Sequence, residues 1–179
     1  EQVFFRENAV AHMTASAWVL NHRRDQVLLA YHRTYGSWAW LGGHADGERD
    51  LLKVALQEAS EESGLKELKA ISEEIYSLEV LAVSGHFKRE SYVPSHLHLN
   101  ITYLLEAAEG APLTGNPDEN DGAAWFPLDA VAEVSSESVF IHLFPGLHIP
   151  QSAGVRRDLV SKNDLTVVAA ELDLEVDQV

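Results

Sequence analysis

The chain has 179 residues, 46% of them hydrophobic, with 28 acidic against 13 basic side chains and a formal net charge of −15. That excess of carboxylates opposes a phosphate backbone, so nucleic acid is excluded from the expected partners, and no apolar run is long enough for a membrane span. Cysteine is absent, which removes disulfides, thiolate nucleophiles and thiolate metal sites. The composition is that of one soluble globular domain over 1–179, and the N-terminus lacks the charged-then-apolar layout of a secretion signal, so a cytoplasmic protein is expected.

In chain order, residues 14–20 read as a strand, 21–25 as a polar turn and 26–31 as a second strand with a continuous apolar run. Residues 37–41 alternate large and small side chains and lead into Gly42 and Gly43, where missing side chains let the backbone approach a ligand. A helix is expected over 50–63, stopped by Gly64. Further strands are expected over 75–83, 97–105 and 123–126, the last preceded by a turn-rich acidic loop over 116–122 and followed by a second helix over 128–134. The order is that of an α/β protein. Residues 135–179 carry no anchor; 171–177 alternate like an edge strand and equally suit an acidic tail.

The chemistry concentrates in residues 42–65. Glu58, Glu61 and Glu62 stand at i, i+3 and i+4, so one helix gathers three carboxylates in its last turns, where they repel one another and face the negative end of the helix dipole. Projected at about 100° per residue, Leu51, Leu52, Ala55, Leu56 and Ala59 form an apolar stripe, with Lys53, Gln57 and Ser60 opposite. Glu62 falls inside that stripe, Glu58 at its edge, and Glu61 toward the polar flank. Carboxylates aimed at a core need partners. A hard divalent cation supplies them.

This segment resembles the signature of the Nudix hydrolases, G-x5-E-x7-R-E-U-x-E-E-x-G-U, with U a bulky aliphatic residue. Gly42, Glu48, Glu58, Glu61, Glu62, Gly64 and Leu65 match; Ala59 fills the aliphatic slot, Gln57 replaces the arginine, and one extra residue enters around Arg49 and Asp50. In the family that arginine pairs with the first glutamate of the signature, so its replacement bears on the brace between loop and helix. The resemblance implies an α/β/α sandwich around a mixed sheet, covering roughly residues 14–133, and a pyrophosphohydrolase using Mg²⁺ or Mn²⁺. It implies Glu58 and Glu62 as principal metal ligands, Glu61 as a further ligand or the group orienting water, and the Gly43 carbonyl as another ligand. A general base from outside the signature is implied too, and Glu119 and Asp121 are the candidates, each also an ordinary loop carboxylate. The implied partner is a small diphosphate substrate, and a homodimer would be unsurprising for the family.

For substrate contact, His44 follows the glycines directly, and His32 and Arg33 end the preceding strand. His96 and His98 share one face of a strand, where His86 could approach them; they suit a zinc site or a binding surface that includes His98. Trp38 and Trp40 suit a base-stacking edge or the core, and Arg156-Arg157 a phosphate clamp or a surface pair. Around Val80 and Leu81 neither the proline of ADP-ribose hydrolases nor the tyrosine of diadenosine polyphosphate hydrolases is present. A second reading is a Nudix fold that binds or senses a nucleotide or nucleotide-sugar without efficient turnover. The isopentenyl diphosphate isomerases of this fold need a cysteine that the chain lacks.

Overall fold

The computed structural model describes residues 2–33, 36–88, 91–116, 120–136 and 168–169. Eleven strands and two helices lie in it: β1 (Ala11–Leu20), β2 (Gln26–His32), β3 (Ser37–Ala39), β4 (Leu41–His44), α1 (Leu51–Ser63), β5 (Leu68–Ala70), β6 (Ser77–Val83), β7 (His86–Lys88), β8 (Ser91–Val93), β9 (His96–Ala107), β10 (Asn120–Pro127), α2 (Val131–Val134) and β11 (Val168–Ala169). The expected strands are all present, most of them extended by a few residues. Residues 37–41 differ: they divide at Trp40, because β3 pairs with β2 whereas β4 crosses to pair with β1. The second helix is one 3-10 turn, Leu128–Ala130, followed by a single α-helical turn. Sequence periodicity did not signal β5 or the β7–β8 hairpin.

The main sheet has nine strands in the order β10-β2-β1-β9-β6-β11, with β3, β4 and β5 attached to β2, β1 and β9. It is mixed. β1 and β9 run parallel in an unbroken register from Ala11↔Leu97 to Leu20↔Glu106, while β4 and β6 run antiparallel to β1 and β9. Alternation along β1 divides the two faces of the sheet. Ala15, Ala17 and Val19 join Leu41, Ile101, Tyr103 and Leu105 beneath Val54, Ala55 and Ala59 of α1. Trp18 and Leu20 join Val27, Leu29, Trp40 and Val131 on the other face, beneath the short helical turns. The result is the expected α/β/α sandwich around a mixed sheet.

Trp38 and Trp40 belong to that second core. Trp40 packs edge-on against Trp18 at 5.4 Å between centroids, and Trp38 against Phe126 at 4.7 Å. Trp40 is buried and Trp38 partly buried, so both rings serve the core. Among the described residues no helix is long and apolar enough to cross a membrane.

Candidate active site

Helix α1 is set by its ends. Asp50 caps it by accepting a hydrogen bond from the Lys53 amide at 3.1 Å, and Gly64 closes it at φ 78°, donating to the Ser60 carbonyl at 2.8 Å. Between these caps the apolar stripe docks on the sheet and carries Glu62 inward, to 2% exposure. Its Oε2 accepts the Gly42 amide at 2.8 Å, and Oε1 lies 3.9 Å from Nε2 of His32. One turn earlier, half-buried Glu58 lies against Gly43 so closely that a Cβ there would sit 2.3 Å from its Cδ. Two carboxylates therefore converge on consecutive glycines of β4. Glu61 is exposed and accepts from the Gln57 side chain at 2.8 Å, so the expected gathering of three carboxylates is a pair with a solvent-facing third.

The loop before the helix is braced without the arginine. Lys53 Nζ reaches Glu48 Oε2 at 2.5 Å, and Glu48 Oε1 also accepts the backbone amides of Arg49 and Asp50 at 2.8 and 3.1 Å. The lysine, then those amides, pull the Glu48 carboxyl down to about 2. Arg6 clamps the loop from the N-terminal side through Nε to Asp46 Oδ1 at 2.6 Å and a second contact to Oδ2.

His32 turns inward, its Nε2–H donating to the Trp40 carbonyl 3.3 Å away while the ring stands 3.9 Å from Glu62 Oε1. Arg33 points elsewhere: its Nε pairs with Asp121 Oδ1 at 2.6 Å and its Nη2 donates to the Asn120 carbonyl at 3.2 Å. Together with Thr114, Gly115, Asn120, Asp121 and Gly122 it lines a pocket of about 190 Å³. Asn120 ties that pocket to the helix by donating to the Glu62 carbonyl at 3.1 Å. Glu119, Arg156, Arg157 and residues 171–177 lie outside the described residues.

His44 and His98 meet on the opposite face of β4, for alternation sends Gly43 toward α1 and His44 away from it. Their rings lie 5.0 Å apart, in contact with His12 and His96. Burial, then the neighbouring His44, His12, His96 and Arg6, push the His98 imidazole down to about 3. His86 does not join them; its Nδ1 pairs with the Ser84 carbonyl at 3.0 Å. His12 and Lys53 escaped sequence reading. Only the long-range β1–β9 register, with His12 opposite His98, brings His12 into this group.

The model of the NUDIX domain matches residues 10–144. The chain belongs to the Nudix family. As such it is a Nudix hydrolase, of the pyrophosphohydrolase class. No curated protein matches it in sequence. Among solved structures it is similar to a Nudix-family hydrolase from Clostridium perfringens, at 16% identity and TM-score 0.53 over 75% of this chain and 94% of that one. It is also similar to a C. elegans Ap4A hydrolase, at 16% identity and TM-score 0.52 over 74% and 92%. A third is the Nudix domain of Shewanella oneidensis NrtR, solved with ADP ribose, at 16% identity and TM-score 0.50 over 74% and 83%. At these identities the likeness is one of fold.

Proposed function

We propose that this Nudix hydrolase cleaves the diphosphate bond of a nucleoside diphosphate linked to a second group, with Mg²⁺ or Mn²⁺ held by Glu58, Glu62 and the Gly43 carbonyl. The observation that carries the reading is the convergence of Glu58 and Glu62 on Gly42 and Gly43. The donors fit the group: they are hard oxygens, and Gly43 leaves open the space a side chain would take from the Glu58 carboxylate. When bound, the cation lowers the pKa of its water and neutralises charge on the diphosphate oxygens.

The chain's own groups arrange the rest. The Gly42 amide and His32 fix the rotamer of Glu62, so a buried carboxylate is presented rather than left to find its geometry. Glu61, at the solvent side, orients the attacking water or adds a ligand. Arg33 contacts a substrate phosphate at the pocket beside the helix, exchanging part of its pairing with Asp121 for it. Asp121, freed by that exchange, takes the proton from the attacking water; Glu119 is the alternative base. The C. elegans relative is named for Ap4A and the Shewanella domain was solved with ADP ribose. Both ligands carry phosphoanhydride bonds between adenosine and a further group, which suits the reading.

The features that favour a sensor are Gln57 and the extra residue of the signature. The Glu48–Lys53 pair supports the loop where the arginine would have done so, which favours turnover. Glu62→Gln keeps the volume and the Gly42 contact while removing a charge. Its turnover is expected to fall by more than the roughly 10–100-fold that losing an outer partner of a metal costs, with an unchanged melting profile. Wild-type turnover in Glu62→Gln would reject the ligand assignment.

A further inference from the structure

We propose that His12, His44 and His98, with His96 beside them, form a second metal site, selective for a transition-metal ion such as Zn²⁺ and separate from the carboxylate site. One ring nitrogen from each of the three lies within 4.8 Å of the others. Tetrahedral zinc at about 2.0–2.1 Å from each nitrogen needs neighbouring nitrogens roughly 3.4 Å apart. Rotation of the half-buried His44 and His98 rings closes the difference, and the His96 and His98 Nε2 atoms already stand 3.2 Å apart.

The hydrogen bonds fix which nitrogens carry lone pairs. His12 Nδ1 lies 3.0 Å from the Asn8 carbonyl oxygen, and His96 Nδ1 lies 2.8 Å from that of Pro94. A carbonyl only accepts, so both rings carry the proton on Nδ1 and a lone pair on Nε2. In His12, which is 3% exposed, that Nε2 is buried and has no hydrogen-bond partner. Leaving an acceptor dry and unmatched is costly. A backbone carbonyl on one nitrogen and a lone pair on the other is the arrangement metal-binding histidines use. The nearby cation Arg6 is paired with Asp46, so the cluster faces an ion pair rather than a lone positive charge.

Imidazole nitrogens select zinc, copper, nickel or cobalt over magnesium, whereas carboxylate and carbonyl oxygens do the reverse. The two donor sets occupy opposite faces of one strand, Gly43 facing Glu58 and His44 facing His12 and His98. An ion held there would tie β1, β4 and β9 together behind the catalytic loop.

The test is Zn²⁺ titration of the full, metal-stripped chain by calorimetry, in excess Mg²⁺ to occupy the oxygen donors. Long-range ¹H–¹⁵N spectra of the histidine rings are recorded alongside. Near-stoichiometric binding is expected, with the Nε2 resonance of His12 and a ring-nitrogen resonance of His98 shifting and the melting temperature rising. Affinity should fall at least tenfold in His98→Gln and hold in the Glu58→Gln, Glu62→Gln double variant. The spectra need no substitution, so a misfolded variant does not decide the matter. Unshifted ring resonances would overturn the proposal. So would Zn²⁺ binding that disappears in the double glutamate variant, and neither outcome bears on diphosphate cleavage.

Discussion

A single missing side chain determines where Glu58 stands. Alanine at position 43 would put a methyl carbon 2.3 Å from the Glu58 Cδ and 2.4 Å from one of its oxygens. The clash falls on the end of a flexible side chain, so the carboxylate swings away and the strand stays. Gly43→Ala is therefore expected to raise the Mg²⁺ concentration for half-maximal turnover by about tenfold or more, with a melting temperature close to wild type. An unchanged metal requirement would separate Glu58 from the metal. That Glu62 is buried and Glu58 half-buried was legible in the sequence because helical periodicity is local: a carboxylate in an apolar stripe is visible without knowing what it packs against. The histidine cluster was half legible. His96 and His98 declare themselves by their spacing, but His12 meets them through a register between strands more than 80 residues apart in the chain, which no local pattern carries.

Helix α1 and its entry loop behave as one unit whose brace has changed hands. The family pattern assigns the first glutamate of the signature to an arginine, and with Gln57 in that place the sequence leaves the brace unaccounted for. Lys53 supplies it from one turn earlier, and Gln57 turns to Glu61. Helical geometry explains the exchange. Position 53 lies in the first turn of the helix, where it faces Glu48. Both partners are exposed, so the pair contributes little to global stability; its work is local positioning. Lys53→Ala is expected to lower kcat severalfold while leaving the melting temperature nearly unchanged. Adding Gln57→Arg to that variant should recover part of the loss. A large drop in melting temperature, or no kinetic effect, would contradict a positioning role.

Across the whole molecule, the sheet is the organising feature, and one half of one face is polar. Asn100 accepts from Thr14 and Ser16 at 2.8 and 2.9 Å and donates to Glu79 at 2.9 Å; Thr102 also donates to Glu79 at 2.9 Å. Glu79 is fully buried, and that burial holds its carboxyl above the ordinary 4.5, although the hydrogen bonds pull it down. The folded protein keeps a proton that the unfolded chain releases. Its stabilising contribution is complete below 4.5 and disappears as pH rises through the raised value. Glu79→Gln, which has no charge to bury, should therefore gain melting temperature relative to wild type as pH rises above 4.5. Parallel profiles would mean that Glu79 is ionised in the fold. Alternation in the sequence located the strands, yet it could not locate this network, because its members are joined by pairing between β1, β6 and β9. The split at Trp40 escaped for the same reason: the change of partner strand is a tertiary event.

The most direct measurement is Mg²⁺-dependent turnover of a small diphosphate panel, namely ADP-ribose, a nucleoside triphosphate, a nucleotide sugar, NADH and a diadenosine polyphosphate, with products identified by mass. Cleavage at the diphosphate of at least one member, abolished by chelator and restored by Mg²⁺ or Mn²⁺, is the expected result. Binding of a panel member with no turnover under either metal would contradict a hydrolase and favour a sensor.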